Sequence, residues 1–484
     1  TTSQGQGILI KARNDIVTGI GSAMSLQTKN GNITLWADAD GNNSGTIRVR
    51  ENVTFNSANG STSQTTGGGA ITLAGGSSAD ANGLPAGYAY SASTNTAVWG
   101  ANSASGVQLG SYTYNFNSGS ITNEIKFYSG GGNVAIRGKS ANGAPGISWY
   151  GGSAGGTQVI DAGAGTILLD GHSVGNGHGI ELTYFGGSTT PVLRSSSSAT
   201  EAISVVGYTS TTGGWAGYQG TLTMISSGTG GIKLSGTTLG NGAAVNAGSL
   251  SLYAASGPIA LTGAGGTGLS IGGTWGRGTL PSSSSSITLN ADAISLGATT
   301  INTTGALTVQ PVNTSFSGSG LSWPLTNVTL STTLGGLTLG KANNASDITI
   351  GTAVTTAGAI NLFGGNIKLN AGLTTTASNI ALNGPVKVGA NGVTLNSAGN
   401  ITFTGDVTPD VNATRSLGLT ANSGTIQWAT NLGSSALMFT DLNLSASNLA
   451  ANASTTLFAS NDILVNADIA KWAPVVKDSG AKVD

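Results

Sequence analysis

The sequence predicts an all-β chain, a parallel β-helix (β-solenoid) with three-sided coils of about 20 residues. Three observations carry this expectation: a glycine-rich, charge-poor composition, a short strand phrase that recurs, and the regular spacing of that phrase.

Composition limits the alternatives. Of 484 residues 79 are Gly, and Gly, Thr, Ser and Asn together make half the chain. Charged residues are only 8% and the net charge is −1, against about 25% charged residues in ordinary globular domains. So little charge gives no field to attract nucleic acid or an anionic membrane. Disorder goes with low hydropathy and high net charge, whereas here the mean hydropathy is +0.11, so a core can form. With no Cys, disulfides, thiolate metal sites and cysteine nucleophiles are excluded. No apolar run reaches the roughly 18 residues that span a bilayer, so no membrane insertion is expected. The start, from Thr1 to Ile10, reads as a mature or excised segment, and the end carries no lipid-anchor signal.

The recurring phrase is a Gly, Asn or Ser followed by Ile-x-Leu or a near equivalent. It occurs at Ile33–Leu35, Ile71–Leu73, Ile232–Leu234, Ile259–Leu261, Ile287–Leu289 and Ile294–Leu296. It continues at Ile360–Leu362, Ile367–Leu369, Ile380–Leu382 and Ile401–Phe403. Two apolar residues flanking one polar residue form the period-2 pattern of a half-buried strand. Strands this short between Gly, Asn and Ser turns suit no helical scheme.

Spacing supplies the architecture. Ile287, Leu307, Val328 and Ile348 follow one another at 20 or 21 residues, as do Ile360, Ile380 and Ile401. Within a coil, Ile287, Ile294 and Ile301 are 7 apart, and so are Ile360 and Ile367. Three strands per coil make a triangle, and stacked coils pair through parallel ladders about 4.8 Å apart. Roughly 24 such coils would make a rod on the order of 115 Å long. Gly and Asn are expected at corners that need positive φ.

Two textures divide the chain. Residues 1–280 form a loop-rich, aromatic part, and 281–484 form regular coils continuous with it. All ten tyrosines fall between Tyr88 and Tyr253. Ser195–Ser198 and Ser282–Ser286 read as exposed loops over a corner.

The stretches Gly335–Lys341, Gly364–Asn370 and Asn400–Gly405 resemble the β-strand repeats of bacterial filamentous-haemagglutinin-like proteins, the large exoproteins of two-partner secretion. Ala459–Asn466 does so too, with an echo at Ala12–Val17. The resemblance covers the style of repeat over most of the chain, not the amino-terminal secretion domain of such proteins. It implies a right-handed β-helix, secreted or on a bacterial cell surface, serving in adhesion, biofilm cohesion or as a stalk.

Parallel β-helices also host polysaccharide-cleaving enzymes, so candidate chemistry must be weighed separately. Hydrolysis on this architecture needs two or three carboxylates on one face, as acid and base or holding calcium. The richest segment holds Asp170, His172, His178 and Glu181, with both histidines of the chain. Its Gly177-His178-Gly179 triplet is similar to one in polygalacturonases, but their Asp-Asp pair is absent. Asp38 and Asp40 open a calcium-like loop that lacks the far bidentate acid and reads as a polar turn. Arg48, Arg50, Arg137 and Lys139 form a thin basic group. No catalytic residue, cofactor or metal ligand is therefore expected.

Aromatic residues offer the other candidate surface. Tyr88, Trp99, Tyr112, Tyr114, Trp149, Tyr150, Trp215 and Tyr218 lie in the loop-rich part, where exposed rings could stack on sugars or anchor an interface. Sugar binding requires Trp99, Tyr112 and Trp149 to be exposed rings in a row, and buried rings count against it; the alternative is ordinary strand aromatics stacked on one side.

The expected function is a non-enzymatic, extracellular structural or adhesive β-solenoid. Its partners would be other copies of itself, or further coils of the same exoprotein, joined end to end, together with surface glycans. Neither end shows an obvious cap, which fits either a chain that continues in a longer exoprotein or copies that stack end to end into filaments by strand addition. The alternative is a β-helix that binds or cleaves polysaccharide.

Overall fold

The computed structural model describes residues 5–19, 23–92, 105–110, 124–141, 143–151, 156–184, 190–210, 212–325, 327–451, 455–471 and 482–483. Every regular element among them is a β-strand. Alternating apolar and small polar residues allow pleated, half-buried strands but give no helical face. The chain is an all-β parallel β-helix, and by internal contacts it forms two compact units. One comprises Thr1–Ser285 with Ile294–Thr300, the other Ser286–Ala293 with Ile301–Asp484.

The first unit has three ladders. One runs through Ile8–Lys11, Ile33–Ala37, Ile71–Ala79, Val134–Ser140, Ile167–Ser173, Glu201–Thr209, Gly231–Thr238 and Ile259–Ala264. A second face runs from Ile16–Thr18 through Ile47–Val49, Val107–Leu109, Ile147–Gly151 and Ile180–Tyr184 to Tyr218–Gln219. The third stacks Met24–Gln27, Val53–Asn56, Ile125–Tyr128, Gln158–Asp161, Val192–Ser195 and Leu222–Ser226. All are parallel. An antiparallel turn-back, Ile71–Ala79 against Pro85–Gly87, lies on the first face.

Like residues stack in the interior because like positions pair. Phe55 and Phe127 lie in register on the third face, their rings 4.7 Å apart and nearly parallel at 12°. At the end of the first ladder, Ser91, Ser140, Ser173, Thr209 and Thr238 form a row of buried hydroxyl residues. Their role is to satisfy corner carbonyls. Thr209 Oγ1 donates to Gly177 O at 2.9 Å and Thr238 Oγ1 to Trp215 O at 3.0 Å. Each removes the cost of a buried unpaired carbonyl, about 1–3 kcal/mol.

The second unit is likewise three-sided. Ile287–Ala291, Leu307–Gln310, Gly336–Leu339, Ala359–Phe363, Ile380–Asn383 and Ile401–Phe403 make one ladder. Leu321–Trp323, Ile348–Ile350, Ile367–Leu369, Val386–Val388 and Val407–Pro409 make another. Val354–Thr356, Leu373–Thr375, Val393–Ser397 and Leu417–Trp428 complete the triangle. The expected row Ile360, Ile380 and Ile401 is present in register. Ile367 sits on a different face from Ile360, so seven residues turn one corner.

The expected row from Ile287 to Ile348 is corrected. Leu307 follows Ile287, but its next partner is Leu337 rather than Val328. Ile348 belongs to another face, between Leu321 and Ile367. A strandless stretch over 311–320 lengthens that coil, and a fixed period steps over it.

One corner shows why glycine is needed. Gly384 has φ +140, and a Cβ there would lie 2.1 Å from Gly364 O in the coil beneath. Any side chain would both strain the backbone and push adjacent coils apart.

Candidate functional site

On the first face the strands Val134–Ser140 and Ile167–Ser173 alternate strictly between buried and half-buried residues. Register then fixes what points outward. Arg137, Asp170 and Val206 align, and so do Lys139, His172 and Tyr208. Ala89–Ser91 adds Tyr90 beside Lys139. Lys139 Nζ lies 5.3 Å from the centre of the Tyr90 ring, and the His172 and Tyr208 rings are 5.4 Å apart.

The turn-back after Ile71–Ala79 carries Tyr88 over this face. Its hydroxyl donates to Asp170 Oδ2 at 2.8 Å and lies 3.3 Å from His172 Nε2. His172 Nε2 is also 3.0 Å from Asp170 Oδ1. Tyr88, Asp170 and His172 thus form one polar cluster with Arg137, whose Nη1 donates to Pro85 O at 3.5 Å. Burial pushes the Tyr88 phenol well above its ordinary range; the hydrogen bond to Asp170 and that carboxylate's charge add to the shift, and Arg137 opposes it. These groups are aimed at one another. The geometry clasps the Pro85–Tyr88 segment onto the sheet.

His178 does not join them. It is buried in a corner, where Nδ1 accepts the Ala216 N–H at 3.0 Å and the ring meets Trp215 edge to face at 4.9 Å. Burial lowers its pKa, and the nearby Glu181 charge opposes the shift. Glu181 is half-buried on the second face, in register with Ser148 and Gln219. The four polar candidates therefore divide into a cluster around Asp170 and His172 and a separate corner around His178.

The aromatic expectation needs correction. Trp149 and Tyr218 are core residues, 1% and 0% exposed, because each takes an inward position on its strand. Neither can stack on a ligand. Tyr150 is half-buried, and its carbonyl accepts Gln158 Nε2 at 2.9 Å. Trp215 is exposed, at 38%. Trp99, Tyr112 and Tyr114 lie outside the described residues.

The calcium-like turn holds its own oxygens. Asp38 Oδ1 accepts Ser44 N–H at 3.3 Å, and Asp40 Oδ2 accepts Asn42 Nδ2 at 3.0 Å. Among the described residues, no group of three or more His, Asp or Glu is placed to hold a metal ion. The basic group is dispersed: Arg48 is buried on the second face, Arg50 pairs with Glu51 at 3.1 Å, and Arg137 and Lys139 lie on the first.

Sequence reasoning missed a groove on the third face of the first unit, with a cavity of about 410 Å³. Tyr128 and Arg194, in register through Asp161, line one side, and Val159 and Val192 form the floor. Glu124, Thr157 and Thr190 line the other side. The signal is a 33-residue interval between Tyr128, Asp161 and Arg194, longer than the expected coil of about 20.

The chain matches no protein-family model, no curated protein and no solved structure.

Proposed function

We propose that the chain is a non-enzymatic, extracellular structural and adhesive β-solenoid of a bacterial cell surface. The observation that carries this reading is the repetition of parallel ladders with outward rows of Thr and Asn, such as Thr288, Thr308, Thr338 and Asn361 on one face and Thr355, Thr374 and Asn396 on another. Backbone ladders resist extension, and rows of small polar groups make many weak contacts with a partner surface. Low charge lets such surfaces approach without strong repulsion. The likeness of the strand phrases to filamentous-haemagglutinin-like exoproteins supports the same reading.

Assembly would use strand edges. Ile8–Lys11, Ile16–Thr18 and Met24–Gln27 each pair on one side among the described residues. The other side offers backbone N–H and C=O groups to another copy, or to further coils of the same polypeptide.

The rival reading, polysaccharide cleavage, centres on Asp170 and His172, which share a cluster with Tyr88. Incubation with a panel of soluble polysaccharides separates the two. Retention on polysaccharide with no new reducing ends or unsaturated products is expected. Chain shortening that disappears in Asp170→Asn would overturn the proposal.

A further inference from the structure

The groove on the third face goes beyond a mechanical role, because its three rows differ in chemistry from the Thr/Ser/Asn faces elsewhere. Outward positions along a strand recur about every 7 Å and adjacent strands lie about 4.8 Å apart. Glu124, Thr157 and Thr190 therefore face Tyr128 and Arg194 across the apolar floor of Val159 and Val192. A volume of about 410 Å³ falls in the range of small-ligand sites, ~300–1,000 Å³.

The charges in and around it balance. Glu124 is paired with Lys126 at 2.7 Å, and Asp161 stands next to Arg194 in register. Asp161 Oδ1 already accepts the Gly163 N–H at 3.1 Å. Arg194 is exposed and makes no ion pair among the described residues. With the neighbours in register counted, two cations, Lys126 and Arg194, stand against two carboxylates, Glu124 and Asp161, so charge gives an anionic ligand no net attraction. An apolar ligand would leave the polar rims unpaired. A ligand with an apolar ring face and a rim of hydroxyls meets every group present. Its face lies on Tyr128 and the valines, and its hydroxyls donate to Glu124 and accept from Arg194, with Thr157 and Thr190 able to do either.

We propose that this groove is a binding site for a short uncharged oligosaccharide. The site is independent of end-to-end assembly, so either property can fail without the other.

The test is a glycan array probed with the full chain, carrying neutral glucose, mannose and N-acetylglucosamine oligomers and their uronic-acid counterparts. Binding to neutral oligomers, unchanged between low and high salt, is expected. Tyr128→Ala should weaken it by about tenfold or more, and Arg194→Gln by several-fold. Val411→Ala, at an exposed position of the second unit, should leave it unchanged. Circular dichroism of each variant confirms that the fold survives. Absence of neutral-sugar binding, salt-sensitive preference for the acidic oligomers, or binding that survives both groove variants would overturn the proposal.

Discussion

Asn379 Oδ1 accepts the backbone N–H of Asn400 at 2.7 Å, and Asn400 Oδ1 in turn accepts that of Thr425 at 2.8 Å. Each Asn thereby ties its own coil to the next. The device recurs at Asn32 with Ala70, Asn133 with Thr166, and Asn431 with Thr456. It explains why the strand phrase so often opens with Asn. Asn400→Ala should cost about 1 kcal/mol, read as a lower denaturant midpoint at unchanged slope. Asn400→Asp, which keeps an acceptor, should recover most of that loss.

Interior stacks carry larger weight. Phe127 lies flat against Phe55 and is fully buried. Phe127→Ala should destabilise the first unit by about 3–5 kcal/mol, seen in chemical denaturation. A change below 1 kcal/mol would mean that neighbouring coils collapse into the space.

The Tyr88 clasp predicts an alkaline effect. The folded phenol titrates above its unfolded value of about 10, raised by burial and by Asp170. Its stabilising contribution is therefore complete below about pH 10 and is lost as pH rises through the folded value. Tyr88→Phe should remove this pH dependence and speed amide exchange in Pro85–Gly87, while the ladder through Ile167–Ser173 stays protected.

His178 predicts the opposite sign. Its folded pKa is lowered, chiefly by burial, so its contribution is complete above the unfolded value of about 6.5 and is lost as pH falls through the folded value. Protonation at Nδ1 would also end the acceptance of the Ala216 N–H. Amide exchange at Ala216 should accelerate on acidification in the native chain, and His178→Asn should flatten that response. An Ala216 exchange rate that follows only the intrinsic pH dependence would contradict the assignment.

The parts of the fold that could be read were those with constant coil length. Ile360, Ile380 and Ile401 stack because tight corners separate them at a fixed interval. Leu307 and Leu337 do not announce themselves as partners, since an insertion lies between them. Burial of Trp149 was implicit in its strand, two residues after inward-facing Ile147, and parity outweighs the general habit of aromatics to sit at surfaces. The candidate sites were less legible. Tyr88 reaches Asp170 across 82 residues, through a turn-back that no local pattern encodes. Tyr128, Asp161 and Arg194 fall into line at an interval of 33 residues, longer than the coil of about 20 that the regular phrases announce.

As proposed above, the chain would stack through strand edges that take up further coils. Electron microscopy of the purified chain across rising concentration tests it most directly. Filaments that lengthen with concentration, with an axial repeat set by one chain, are the predicted result. Isolated particles of one size at every concentration would contradict it.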